Sequence, residues 1–291
     1  MSFGQRYSHI VKEKTGPDDP ELAELLQQAM EQASPKLLAE MAAELWARRQ
    51  QWLPRLDGLE GASALFPSLA RLTTASRRNA EAVTAHLGQH GLPAVAPLLR
   101  GDAPVTARLA AFSAQLPGLE PRLRLELATG LLHLADPAQY WLWTRWLWDA
   151  GKQSGILPLL AGGVHHFQGL DQGDSYRAVG AVTAMSMRFA EGSGLLSADL
   201  LEHPHRSPFA ADVFLAAAYS IYMYGITSWR LSREYNRLLP TLPDMMRKLL
   251  GLAKPPAARP AQAARAHNGD RADSADSADS ADNGEMPWTQ D

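Results

Sequence analysis

The stretch SPKLLAEMAAELWARRQQW, residues 34–52, contains the signals that set the fold of this chain. Ser34 offers a side-chain oxygen that can cap a helix, and Pro35 follows at the first helical position, where a missing N–H costs nothing. Leu38 and Met41 then begin a series of apolar residues at helical spacing. The stretch therefore predicts an amphipathic helix that begins at Ser34.

The same signals recur before and after this stretch. Asp19 and Pro20 predict the start of an earlier helix, and Glu44 and Arg48 are spaced for an ion pair one helical turn apart. Further helices are predicted over about 62–88, 92–100, 103–116, 120–134, 208–239 and 244–250. The fold class that follows is mainly α, an irregular helical bundle.

One segment is compatible with two structures. Residues 140–148, YWLWTRWLW, carry a large apolar side chain at nearly every position. A helix would distribute these side chains all round its surface, whereas a strand would divide them between two faces. The helix is favoured because Asp136 and Pro137 provide a start signal. One small β-hairpin near 140–160 stays open as the alternative.

The composition of the chain changes at Lys254. The residues beyond it are mostly Ala, Pro, Asp and Ser, and Ala-Asp-Ser occurs three times in succession over 272–280. Such a segment buries too little apolar surface to offset the roughly 1–2 kcal/mol per residue lost when a backbone is ordered. We expect an N-terminal arm over 1–17, a helical domain over 18–253 and a disordered acidic tail over 254–291. A sub-boundary near 135–160 stays open.

Charge and composition exclude several classes of function. The 291 residues carry a net charge of −3, and residues 267–291 hold seven acids and one base. The remainder is too weakly basic to predict a nucleic-acid partner. The absence of cysteine excludes disulfides, thiolate metal ligands and a cysteine nucleophile. No cofactor motif is present, so no cofactor is predicted.

The sequence does not favour a membrane span or a signal peptide. Residues 213–229 are uncharged, but they are at the lower length limit for a membrane span and include polar residues, which favours a buried helix. The first residues lack the apolar centre of a signal peptide. We therefore expect a cytoplasmic protein without a membrane span.

Two groups of residues are candidates for binding another protein. Indole rings suit the anchor positions of protein interfaces, and the acidic tail would present an apolar Met-Pro-Trp triplet at 286–288. A structural aromatic cluster is the competing interpretation for the body. The partner-binding candidates are Trp141, Trp143, Trp146, Trp148, Met286 and Trp288.

Histidines and nearby carboxylates raise metal binding as an alternative. Imidazole with carboxylate is a donor set of iron, manganese and zinc centres. However, adjacent histidines on a helix point about 100° apart, and no spacing matches a known metal motif. The alternative ligands, none of them favoured, are His165, His166, Asp171, Asp174, His203 and His205.

Two functions are carried forward from these patterns. The favoured one is a soluble accessory or adaptor protein that acts through another protein. The alternative is a metal-dependent or small-molecule-binding enzyme, with its pocket between the 165–205 histidine segment and the 208–239 helix. Its ligand-binding candidates are Tyr222, Arg230 and Glu234, because an Arg–Glu pair beside tyrosine can form a polar site.

Overall fold

The computed structural model describes residues 33–167, 170–193, 195–230 and 240–252. The chain divides into two units after Lys254, and all the described residues belong to the first. The predicted N-terminal arm, the helix start at Asp19 and the predicted disordered tail lie outside the described ranges. The domain boundaries stay predictions.

The described part of the chain is mostly helical and contains no strand. The helices are α1 (Pro35–Trp52), α2 (Phe66–Thr73), α3 (Arg77–His90), α4 (Val95–Arg100), α5 (Val105–Ala114), α6 (Pro121–Ala135), α7 (Ile156–Leu160), α8 (Gln172–Ser193), α9 (Ala198–Glu202), α10 (Ala210–Arg230) and α11 (Leu242–Leu249). Five short 3₁₀ segments lie among them. The fold is mainly α and irregular, as the sequence predicts.

Side-chain caps start several helices, and at Ser34 the cap lies where the sequence places it. Ser34 accepts a hydrogen bond from the Leu37 amide at 3.2 Å, which confirms the predicted start of α1. Thr241 likewise accepts from the Asp244 amide at 3.3 Å and starts α11. These caps satisfy amides that the first helical turn leaves without partners. Local chemistry therefore decides these boundaries.

Two helices form the centre of the core. α6 packs against α1, α2, α4 and α5, and α10 packs against α1, α7, α8 and α11. Both are buried on nearly all sides over much of their length, including Leu127 and Leu131 on α6 and Phe214 on α10. A helix that is apolar all round belongs in the middle of a fold. Several polar residues on these two helices are therefore buried as well, among them Glu126, Thr129, Asp212 and Ser220.

The helix predicted over 62–88 is two helices. Thr74 is extended, with φ −115° and ψ 137°, and it ends α2. Ser76 then caps α3 by accepting a hydrogen bond from the Asn79 amide at 3.2 Å. The single-helix prediction is wrong because a serine N-cap inside the apolar pattern starts a new helix.

The helix predicted over 140–148 is also wrong, and the alternative hairpin does not form as a ladder. Residues 136–155 are turns and irregular backbone, with one isolated antiparallel bridge between Asp149 and Ser154. The Ile156 amide donates to the Trp146 carbonyl and thereby closes this stretch. The indoles are held by tertiary packing, because neither regular structure could bury so many large rings at once.

The predicted pair of Glu44 with Arg48 is a further error. Glu44 instead forms an ion pair with Arg247 of α11, and Arg48 donates to the carbonyls of Leu250 at 2.8 Å and Gly251 at 2.9 Å. Both side chains therefore hold α11 against α1. In both cases, partners distant in the sequence take the place of the predicted partner within α1.

The long helix over 208–239 is described from Ala210 to Arg230, after a 3₁₀ turn over Ser207–Phe209. The predicted residues beyond Arg230 lie outside the description. In the described ranges, no helix has both the length and the apolar character needed to cross a bilayer.

Candidate functional site

A cleft of about 360 Å³ opens where α3, α6, α10 and α11 meet the irregular segment 144–155. We call it the polar cleft. Its volume is at the lower end of the range found for small-molecule sites. The polar residues that line it are Ser76, Asn79, Glu126, Arg145, Asp149 and Lys152, and Tyr219 lies on its wall.

Glu126 is the unusual group in this cleft. It lies in the middle of α6 and is 0 % exposed. Its Oε1 accepts a hydrogen bond from the Arg145 backbone amide at 3.2 Å, while Oε2 has no hydrogen-bond partner among the described residues. A buried charge with an unmatched oxygen is costly. The carboxyl therefore favours its neutral form.

Burial is the main reason why the pKa of Glu126 rises from 4.5 to about 7. The negative charge of Asp149 adds to the rise. The Arg145 amide bond and the charges of Arg122 and Arg145 act in the opposite direction but do not cancel it. Glu126 can therefore gain or lose a proton near neutral pH, which is a property of many functional carboxyls.

A turn fixed by Asp149 forms part of the cleft wall. Asp149 Oδ1 accepts from the amides of Gly151 at 3.1 Å and Lys152 at 3.2 Å, and Oδ2 accepts from Arg145 Nε at 2.9 Å. The stretch from Gly151 to Ser154 is thus a turn. It places the Arg145 guanidinium and the exposed Lys152 side chain at the cleft.

Aromatic rings close another side of the cleft. The Trp146 ring lies 5.9 Å from the Tyr219 ring, and Trp146 Nε1 donates to the Leu249 carbonyl at 3.2 Å. Burial, followed by the nearby Tyr222 hydroxyl, raises the pKa of Tyr219. Tyr219 is therefore a neutral hydroxyl at the cleft.

A neighbouring cleft of about 340 Å³ lies on the other side of the Arg145–Asp149 pair. Its walls include Pro121, Leu125 and Trp143, so it is more apolar than the polar cleft. No carboxyl as deeply buried as Glu126 lines it. It is the weaker candidate on chemical grounds.

A second buried polar cluster joins the two central helices. His133 Nε2 lies 2.9 Å from Asp212 Oδ2, and its Nδ1 lies 2.7 Å from the Tyr140 carbonyl. Arg48 is close enough for its charge to act on both partners, and burial lowers its own pKa to about 10. The adjoining cavity measures about 40 Å³, which holds only a few water molecules. This cluster is structural.

The four tryptophans of the 141–148 segment occupy positions in or against the core. Trp143 and Trp146 are 4 % exposed and Trp148 is 1 % exposed. Trp141 is half-buried, stacks on Tyr176 with 4.7 Å between ring centres, and donates from Nε1 to the Tyr176 carbonyl. Rings with so little exposed area offer almost no docking surface in this conformation, so their partner-binding role stays a prediction. Met286 and Trp288 lie outside the described residues.

The candidate metal ligands do not form a cluster where they are described. His205 stacks on Trp46, with 4.6 Å between ring centres, and His203 Nδ1 accepts from the His205 amide. Asp171 caps α8 by accepting from the Asp174 amide at 2.7 Å, and Asp174 pairs with Arg177. No group of three or more potential metal ligands occurs among the described residues. The side chains of His165 and His166 are outside that description.

The pocket predicted beside the long helix stays a prediction, because much of its expected lining lies outside the described residues. Between α8 and α10 a cavity of about 10 Å³ is lined by Thr183 and Pro208, among others. Tyr222 is half-buried and lies 6.5 Å from Tyr219, measured between ring centres. The side chain of Arg230 and all of Glu234 fall outside the description. The polar cleft is the candidate site that the described residues provide.

Sequence analysis missed Glu126, Arg145 and Asp149 as a site. The available signal was a single carboxyl in the middle of the apolar run LRLELATGLLHLA, residues 123–135. A helix with leucines on all sides is buried, so an acid within it has to be neutral, paired or functional. The position of Arg145 and Asp149 depended on an irregular segment that no local pattern specifies.

Comparison with known proteins returned no relationship: no family model, no curated protein and no solved structure matches this chain.

Proposed function

We propose that this protein binds a small polar molecule in the polar cleft. The main observation behind the proposal concerns Glu126. This fully buried carboxyl lines the cleft, and one of its oxygens has no hydrogen-bond partner among the described residues. Buried polar atoms in proteins nearly always have partners. A ligand atom in the cleft would supply the missing one.

The surroundings of Glu126 support this proposal. The cleft combines Arg145, Lys152 and Tyr219 within about 360 Å³, so several polar groups converge on one space. A rigid turn and two central helices position them, and pre-positioned groups lower the entropic cost of binding. A carboxyl with a raised pKa in a cleft is a further mark of a functional site.

Ligand screening with a cleft-filling variant tests this function. Asn79 lies on the cleft wall, and its replacement by Phe would occupy part of the space. The neighbouring Arg78 is exposed and does not line the cleft, so Arg78→Phe is the matched control. A panel of anionic, cationic and neutral metabolites would be screened by thermal shift against the wild type and both variants.

We expect at least one compound to raise the melting temperature of the wild type and of Arg78→Phe, and to lose this effect on Asn79→Phe. Stabilisation follows from binding to the folded state alone. Compounds that stabilise all three proteins equally would contradict binding in the cleft. A panel without any stabilising compound would contradict the proposed function.

The adaptor function is a second proposal, and it concerns the C-terminal segment. Among the described large apolar residues, only Leu159 and Leu170 are exposed, at 36 % and 39 %. The described body therefore has little apolar docking surface, which favours Met286 and Trp288 as the anchor for a partner protein. We place both roles in the cytoplasm, with which a chain without cysteine is compatible.

Capture of partners from a cell extract tests the adaptor function. The baits would be the full chain, a chain ending at Lys254 and the variant Trp288→Ala. A partner retained by the full chain and lost with both altered baits supports the proposal, because removal of a buried aromatic anchor costs on the order of 2 kcal/mol or more. Equal capture by all three baits would contradict it.

A further inference from the structure

We infer that the ligand of the polar cleft is a small oxyanion, which binds together with one proton held on Glu126 Oε2. This inference rests on the proposed binding function and specifies the chemical class of the ligand. A carboxylate or a tetrahedral oxyanion would satisfy the same groups.

Unpartnered positive charge at the cleft favours an anion. The Arg145 side chain uses Nε to bind Asp149, and no described residue accepts a hydrogen bond from its two terminal nitrogens. Lys152 also lines the cleft, with an exposed side chain and no described partner for Nζ. Guanidinium and ammonium donors are the usual partners of carboxylate and phosphate oxygens.

The carboxylate of Asp149 does not cancel this preference. Oδ1 already accepts two backbone amides and Oδ2 accepts Arg145 Nε. Its charge therefore balances one of the two cations and leaves the other for a ligand. A cationic ligand would instead meet both Arg145 and Lys152, and like charges in a cleft repel.

Glu126 decides whether the oxyanion can bind. As a carboxylate it would repel the ligand, and two oxygens would face each other without a hydrogen between them. As a carboxylic acid, Oε2 donates its hydrogen to the ligand oxygen, while Oε1 keeps its bond from the Arg145 amide. Binding therefore takes up one proton from solution for each oxyanion bound when Glu126 is ionised beforehand.

In the free protein, Glu126 can take up or release this proton near neutral pH. Burial raises the pKa of Glu126 to about 7, so the acid and its carboxylate are both populated there. Above that pH, affinity for the oxyanion falls by about tenfold per pH unit, because each binding event requires a proton.

Titration calorimetry with sulfate and with succinate tests the inference. The two probes represent tetrahedral oxyanions and carboxylates, and both stay fully ionised between about pH 7 and pH 9. The ligand therefore contributes no titration of its own. The measurements would use the full chain at constant ionic strength, because salt screens charge interactions.

Glu126→Gln provides the decisive variant. The glutamine amide donates a hydrogen bond without needing a proton, so this variant should bind the probe with an affinity that does not depend on pH. At about pH 9 it should bind on the order of 100-fold more tightly than the wild type. Glu60→Gln, an exposed position away from the cleft, should keep the wild-type pH dependence.

Lys152→Met should weaken binding of the probe by at least about tenfold, whereas Lys248→Met, on an exposed part of α11, should not. Stronger binding of one probe identifies the geometry of the oxyanion. A wild-type affinity that is independent of pH, or binding of neither probe, would overturn this inference. The proposed function would then still hold if a compound from the panel stabilises the wild type and loses this effect on Asn79→Phe. It fails only if no compound shows this difference.

Discussion

His133 of α6 and Asp212 of α10 form a buried ion pair across the two central helices, with 2.9 Å between Nε2 and Oδ2. The other ring nitrogen lies 2.7 Å from the Tyr140 carbonyl. The Tyr140 carbonyl accepts and so does the ionised Asp212 carboxylate, so both ring nitrogens donate and the ring carries its second proton. Burial alone would lower the pKa of His133, but the charge of Asp212 and the two hydrogen bonds outweigh it and raise the pKa above 6.5.

Stability should therefore fall as pH rises through the raised pKa of His133. A histidine whose pKa is higher in the folded state stabilises the fold fully below 6.5 and loses that contribution above its folded pKa. His133→Gln should cost about 3–5 kcal/mol near pH 6, because it leaves Asp212 buried without its partner. Urea unfolding at several pH values measures this loss as the gap in unfolding free energy between the wild type and the variant.

That gap should shrink steadily toward alkaline pH. His90→Gln serves as the control, since His90 is exposed at the end of α3. A gap of constant size at every pH would mean that His133 is neutral in the folded protein.

Glu126→Gln should stabilise the protein above neutral pH. A carboxyl with a raised folded pKa favours the fold below 4.5, and this contribution is lost as pH rises to about 7. The change in pKa corresponds to about 3 kcal/mol, which the neutral amide does not lose. Chemical denaturation at about pH 8 should show the variant to be more stable by up to this amount, and a less stable variant would show that the carboxylate is well paired.

Asp149 should be essential to the shape of the cleft wall. Asp149→Ala removes the acceptor of two backbone amides and of Arg145 Nε, and should cost about 1–3 kcal/mol. Asp57→Asn, at an exposed pair with Arg100, should cost little. Unfolding free energies measured by denaturant titration check both, and equal losses would contradict the assigned role of Asp149.

Gly180 on α8 should tolerate no side chain. A Cβ at this position would lie 2.3 Å from the Trp141 ring. Gly180→Ala should destabilise by about 1–3 kcal/mol through overpacking. Gly192→Ala, on the same helix with open space around it, should instead gain about 0.5–1 kcal/mol from helix propensity. Melting temperatures that move in the same direction for both variants would contradict this packing.

The parts of the fold that the sequence predicts are those with local causes. Ser34 with Pro35 specifies the start of α1 because the capping bond joins residues three positions apart. The last helix, predicted over 244–250, begins slightly earlier at Leu242, because Thr241 provides the capping bond. Helix content and the mainly α class follow from many such local signals.

The errors arise where distant residues compete with local ones. Glu44 and Arg48 have helical pairing geometry, yet Arg247 and the carbonyl of Leu250 bind them instead. No pattern in α1 alone reveals that α11 packs there. The indoles of residues 141–148 are similarly placed by contacts from other elements, so their local pattern fits neither a helix nor a strand.

The candidate site combines both kinds of residue. Glu126 could be found from sequence as a lone acid in an apolar helix, although its role depends on what surrounds it. Arg145 and Asp149 approach Glu126 only through the irregular turn. Ser76 reaches the cleft because α2 and α3 are separate helices. Three-dimensional packing is therefore needed to assemble the site.

The ¹³C resonance of the Glu126 side-chain carboxyl provides the most direct test of the account. Its assignment would come from comparison with Glu126→Gln, and its titration would be followed by NMR with and without sulfate. The midpoint should lie at about pH 7 in the free protein and should be higher with the oxyanion bound. A midpoint near 4.5 that sulfate leaves unchanged would show an ordinary carboxylate and would contradict a ligand site built around Glu126.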